Sequence, residues 1–201
     1  MYDDEFELTF DLSDEDKASR VPEPEQEPVQ EAAPEPAAET EPPVEPVPEP
    51  AVPAANGRCV LISGGDRGIG AAAARAFWQA GYRVAVLYHT HAEAAAALEK
   101  ALPGLLAVQC DVASRASCEV AFHTVEQAVS HVDVLVSNAG IAQQKLFTDI
   151  TPEEWQHMLD VNLSGAFHLC QLALPGMIRR KAGRILTVSS MWGQTGGSCE
   201  V

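Results

Sequence analysis

Four glycines crowd into eight residues, Ser63-Gly64-Gly65-Asp66-Arg67-Gly68-Ile69-Gly70, directly after the apolar run Cys59-Val60-Leu61-Ile62. Glycine lets a backbone turn sharply and lets a polyanion approach without meeting a Cβ. Beyond the cluster, Ile69, Ala72, Ala73, Ala76, Phe77 and Ala80 recur at helical spacing, and Gly81 is placed to end the helix. The start of such a helix presents unpaired N–H groups and the positive end of its dipole. Strand, glycine turn and helix together therefore predict a site for the pyrophosphate of a nucleotide. A glycine turn alone would be weak support, since ordinary tight turns use the same residues.

Four further groups could do chemistry: Asp111-Val112, Asn138-Ala139-Gly140, Asp160-Val161-Asn162-Leu163 and Ser189-Ser190. Each also has a plain reading. Asp111 and Asn138 suit a strand end and a turn, and the two serines could cap a strand. Asn162 is less ordinary, because Asn in a helix interior competes for backbone hydrogen bonds. The six histidines are scattered and none pairs at metal spacing, so no metal is expected; His89 and His91 fall on a loop. Trp155, Trp192 and Phe167 read as packing residues.

The elements that must position these groups alternate. Strands are predicted at 59–62, 83–88, 105–110, 132–137 and 184–189, with helices at 69–80, 92–102 and 114–130. Thr151-Pro152-Glu153-Glu154 reads as a capped helix start, with Thr151 as cap and Glu154 as its reciprocal partner. That helix is predicted to run to about residue 180, with an adjustment near Pro175. Strands separated by helix-sized crossovers predict an α/β fold, a doubly wound parallel sheet of Rossmann type.

Ahead of the fold lies a different kind of sequence. Residues 1–56 hold 17 acidic and two basic residues, whereas the remaining 145 hold 12 acidic and 11 basic. The charge of −16 thus belongs almost wholly to the first segment. Its run of Pro, Glu, Ala and Val over 21–55 cannot bury enough apolar surface to offset ordering, so residues 1–56 are expected to be a disordered tail and 57–201 the folded domain. Phe6, Leu8, Phe10 and Leu12 alternate in a strand-like way that could add to a partner's sheet edge, although stray hydrophobes in an acidic tail are the simpler reading. No basic patch suits nucleic acid, no apolar run suits a membrane span, and the acidic start is unlike a secretory leader. Five cysteines without CxxC spacing imply neither a disulfide framework nor a metal site, and a reducing cytoplasm is the expected compartment.

The spacing Gly64-x-x-x-Gly68-Ile69-Gly70 resembles the phosphate-binding turn of the short-chain dehydrogenase/reductases, TGxxxGIG, with Ser63 in place of Thr. Asp111-Val112 resembles the family's adenine-contacting pair. Asn138-Ala139-Gly140 resembles its NAG motif, Asn162 its structural and catalytic Asn, and Ser190 its substrate-binding Ser. The resemblance covers residues 58–201. It implies an NAD(P)-dependent oxidoreductase in which Ser63, Gly64, Asp66, Arg67, Gly68, Ile69, Gly70, Asp111, Val112, Asn138, Ala139 and Gly140 hold the cofactor. Ser190 and Asn162 are then the catalytic candidates. The second strand ends Tyr88-His89-Thr90-His91 with no acid to accept a ribose hydroxyl, and Arg67 stands where related enzymes meet a phosphate. NADP(H) is therefore expected over NAD(H).

The chain resembles 3-oxoacyl-carrier-protein reductases throughout, which implies a small or carrier-attached carbonyl substrate and a homo-oligomer at full length. The stretch 192–201 is closer to reductases of a 5-aminopentanone group on elongation factor P. One departure stands out. The family's proton donor is a Tyr with a Lys four residues on, and this sequence has no such pair; its tyrosines are Tyr2, Tyr82 and Tyr88. At the family's spacing from Ser190 the Tyr would fall just past Val201. The 201 residues are thus expected to bind nucleotide without reducing a carbonyl. A non-catalytic nucleotide-binding module, or an interaction protein working through its acidic tail with a partner unknown, are the readings of another class.

Overall fold

Why a parallel sheet forms is visible in the strands themselves. Val, Leu and Ile in unbroken short runs suit strands covered on both faces, and the runs are separated by segments long enough for a crossover helix. The computed structural model describes residues 54–195. Residues 1–53 of the tail expected over 1–56, with its alternating segment, and the stretch 196–201 lie outside the described residues.

Five strands, β1 (Cys59–Ser63), β2 (Arg83–Tyr88), β3 (Leu106–Gln109), β4 (Val134–Ser137) and β5 (Arg184–Thr187), form one sheet in the order β3-β2-β1-β4-β5. All four pairings are parallel, with Val60 opposite Val84 and Val134, and Leu135 opposite Ile185. The helices are α1 (Gly68–Gln79), α2 (Ala92–Ala101), α3 (Arg115–Val129), α4 (Pro152–Leu159), α5 (Gly165–Arg180) and the short α6 (Trp192–Thr195). The expected doubly wound α/β architecture is present.

Alternation along each strand divides the core in two. Cys59, Leu61, Ala85, Leu87 and Leu135 face α3 and α5, where Phe122, Val125, Leu169, Ala173 and Met177 meet them. Val60, Ile62, Val84, Val86 and Val136 face α1 and α2, against Ala74, Trp78, Leu98 and Leu102. Each such fully buried aliphatic side chain contributes about 1.5–3 kcal/mol of transfer free energy. The four described cysteines are free thiols, and Cys59, Cys110 and Cys118 are buried. No helix among the described residues is long and apolar enough to cross a membrane.

Two elements differ from the sequence reading. The buried face of α1 is Gly70, Ala74 and Trp78, not the stripe from Ile69 through Ala80. Alanine on several faces leaves the phase of that helix open, and Trp78 sets it by burying its ring and donating Nε1–H to the Pro103 carbonyl at 3.0 Å. The long helix after Thr151 is interrupted at Asp160–Ser164 by a π turn, while Pro175 lies inside α5. The predicted capping box is present: Glu154 N–H donates to Thr151 Oγ1 at 3.2 Å, and Thr151 N–H to Glu154 Oε2 at 2.8 Å. Asn56, placed by composition at the end of the tail, is tied to the domain: its N–H donates to the Gly81 carbonyl and its Nδ2 to Ala80, both at 2.9 Å.

Candidate functional site

The winding of the sheet reverses between β1 and β4, and in open α/β sheets ligands bind outside the carboxyl ends of the strands at such a reversal. A cleft of about 580 Å³ opens there. Gly64, Asp66, Arg67, Gly68 and Ile69 line it from the glycine turn, and Tyr88, His89, Thr90 and His91 from beyond β2. Cys110, Asp111, Val112 and Ala113 line it from beyond β3, and Asn138, Ala139, Gly140 and Ile141 from beyond β4. His157 and Val161 complete the wall.

The glycine turn is built for an approach to its backbone. Gly68 sits at φ +53 with nothing within 4 Å of where a Cβ would stand, so the space before it is open. Gly70 is needed for the opposite reason: a Cβ there would run into the Gly64 carbonyl and come within 2.7 Å of Asn138 Nδ2. Helix α1 begins after Arg67 with no side-chain cap and no acidic residue in its first turn. Its N-terminal N–H groups and dipole therefore remain available for an anion.

Asn138 fixes this turn to the end of β4. Its Nδ2 donates to the carbonyls of Ser63 and Gly64, each at 3.0 Å. In return, Ser63 Oγ accepts the N–H groups of Asn138 and Ala139, both at 3.0 Å. Ser63 is wholly buried and, like the buried Gly70, is not among the residues that line the cleft; both shape the turn.

Asn162 is the residue around which the π turn forms. Its Oδ1 accepts the Ile141 N–H at 2.8 Å and its Nδ2 donates to the Ile141 carbonyl at 2.9 Å. A side chain engaged in this way holds the segment after β4 against the helix, and π turns are common at functional sites. Asp111 Oδ1 accepts the Ala113 N–H at 3.0 Å, which shapes the bend after β3 and leaves Asp111 on the cleft wall. Ser190 is exposed at the C-terminal end of β5, two residues beyond Val188, whose N–H donates to the Ser137 carbonyl at 2.9 Å.

Residues 58–201 match the short chain dehydrogenase family. The chain belongs to that family. Among its relatives, the acetoacetyl-CoA reductase of Shinella zoogloeoides is 40% identical over 139 residues, 69% of this chain and 57% of that protein. The 3-oxoacyl-[acyl-carrier-protein] reductase MabA of Mycobacterium avium is 39% identical over 144 residues, 70% and 53% of the two chains. The uncharacterized oxidoreductase YmfI of Bacillus subtilis is 34% identical over 146 residues, 72% and 60%. The chain spans little more than half the length of the curated relatives it matches.

In this short chain dehydrogenase the structure gathers ten of the residues singled out in the sequence around one cleft: Gly64, Asp66, Arg67, Gly68, Ile69, Asp111, Val112, Asn138, Ala139 and Gly140. Asn162 stands immediately behind Gly140, whose Cβ would come within 3.1 Å of Asn162 Oδ1. Ser190 does not line the described cleft. Trp155 and Phe167, expected to pack, are 45% and 59% exposed, because α4 and the start of α5 turn those sides away from the sheet. Sequence reasoning passed over His91. It lines the cleft, and its Nδ1 is 3.5 Å from Asp66 Oδ2. The signal was its place just past the second strand, where an adenosine ribose is read.

Proposed function

We propose that the cleft binds a nicotinamide dinucleotide, with NADP(H) preferred over NAD(H), as part of a carbonyl reductase acting on 3-oxoacyl thioesters. The observation that carries the binding is the glycine turn: an open space before Gly68, an uncapped α1 and a backbone fixed by Asn138. Exposed Ile69, 67% accessible at the cleft, offers an apolar surface for a ring to cover. The preference for a 2′-phosphate is supported by Arg67 and by the absence of an acid after Tyr88. The substrate class is supported by two kinds of relatives, whose names have a 3-oxoacyl thioester in common.

When bound, the nicotinamide supplies or accepts hydride; the rest falls to the protein. The turn positions the pyrophosphate, and Asn138 and Asn162 hold the backbone on which the ring would rest. Ser190, three residues past the end of β5, is the residue to donate a hydrogen bond to the carbonyl oxygen. A proton must also reach that oxygen. Tyr88 ends β2, three strand positions from β5 and thus roughly 14 Å across the sheet, and Tyr82 lies before the same strand. Among the described residues neither tyrosine stands beside Ser190. The expected behaviour of these 201 residues is therefore binding without turnover. The apolar side chains Leu163, Phe167 and Ile178, exposed along the π turn and α5, support self-association of this chain, and a cytoplasmic setting fits the buried free thiols.

Titrating the chain with NADPH and NADH by nucleotide fluorescence, and following NADPH oxidation with a 3-oxoacyl thioester, tests this. Tighter NADPH binding without turnover is the expected result. Equal or tighter NADH binding would overturn the preference, and turnover would show that another group here donates the proton.

A further inference from the structure

Asp66 is an unusual residue to find in a site for a phosphorylated ligand. Its side chain is 6% exposed, and its Oδ2 has no hydrogen-bond partner. A buried carboxylate oxygen without a partner is costly, and its charge would repel a phosphate placed nearby. The nearest cation-capable group is His91, whose Nδ1 lies 3.5 Å away, within reach of charge attraction and too far for a hydrogen bond. Thr90 Oγ1 is 3.2 Å from the same nitrogen. His91 is 48% exposed on the cleft wall and precedes α2 without capping it through its side chain.

We propose that Asp66 and His91 act as a pair that decides whether the cleft admits the 2′-phosphate of NADP(H). The inference rests on the reading of the cleft as a nicotinamide dinucleotide site. With the phosphate on one side and the buried carboxylate on the other, the imidazole stands between two anions. Asp66 is the positioning residue and His91 the one that meets the ligand. Arg67 supplies the permanent charge from the turn. The other titratable groups on the wall are Tyr88 and His89 beside the pair, Asp111 beyond β3 and His157 on α4; Glu93 begins α2. In this arrangement an acid in the glycine turn does not mark the site for NAD(H), because His91 cancels it.

Two small probes isolate the phosphate: adenosine 2′,5′-bisphosphate and 5′-AMP, titrated calorimetrically against the 201-residue chain. The ratio of their affinities is the reading, and 5′-AMP binding reports that each variant is folded. His91→Gln should lower the ratio by about tenfold, the scale of one charge-assisted contact, whereas His91→Lys should keep it. Asp66→Asn added to His91→Gln should recover about threefold, because the carboxylate is harmful only when its partner is gone. An unchanged ratio in His91→Gln, or a double variant no better than the single one, overturns the pair while leaving the cofactor reading intact. A wild-type ratio near one overturns the pair together with the preference for NADP(H), and failure to bind either probe overturns the cofactor reading itself.

Discussion

Replacing Asn138 by Ala tests the fastening between the glycine turn and the fourth strand. The change removes the Nδ2 donor from the carbonyls of Ser63 and Gly64, and Ser63 is fully buried. An acceptor stripped of its donor away from water costs about 1–3 kcal/mol, so two of them should cost about 2–6 kcal/mol together. In a domain of this size each kcal/mol moves the melting temperature by about 2–4 °C, which makes the expected fall on the order of 10 °C. Asn138→Asp should be worse than Asn138→Ala. It keeps the shape but turns a carboxylate oxygen toward two carbonyl oxygens and close to Gly70. The assay is a urea or thermal unfolding scan of the wild type and both variants, with 5′-AMP binding measured beside it. Asn138→Asp equal to the wild type, or Asn138→Ala within 2 °C of it (below the scale worked above), would refute the claim that this amide holds the turn.

Burial pushes the Cys59 thiol up to about 12, against Arg83, which pulls it down, with Asp133 adding to the rise. A raised folded-state pKa means that the contribution is complete below the usual thiol value of 9.0 and is lost as pH climbs toward 12; Cys59→Ala should flatten that alkaline loss in unfolding free energy. The Cys118 thiol is likewise pushed up, by its contact with Cys110 and by burial, so iodoacetamide at pH 8 should label Cys59 and Cys118 slowly until the chain is unfolded. Thr151→Ala should cost about 1 kcal/mol by removing the cap of α4. Lys145, and then the Thr151 backbone N–H, hold the partly exposed Glu154 carboxyl below its usual range; whatever it contributes is present above that range, disappears in acid and weakens with salt. Asn162→Ala should free the segment around Ile141, seen as faster amide exchange at Ile141 than elsewhere in the fold.

The order of strands and helices was readable because each strand is a short apolar run and each crossover carries its own helical period. The turn was readable for a related reason: at Gly68 and Gly70 a side chain is excluded by conformation or by contact, and that leaves a mark in residue type. The phase of α1 was not readable, since alanine fits a core and a surface equally and only Trp78 breaks the tie. Nor was the π turn, because the bonds that fix it run from Asn162 to Ile141, 21 residues earlier in the chain. His91 was passed over as a loop histidine because its meaning depends on Asp66, which the fold brings to it from the other side of a strand and a helix.

That π turn also works as a vernier between two surfaces. One extra residue in a helical turn rotates everything downstream by about 100° relative to a continuous α-helix. Upstream of it His157 looks into the cleft; downstream Leu169, Ala173 and Met177 look into the core. Deleting one residue from Asp160–Ser164 would restore a regular helix and would necessarily misalign one surface or the other. The two surfaces share a single screw, so in this chain a change that retunes the ligand wall from α4 must be matched by a change in how α5 seats on the sheet.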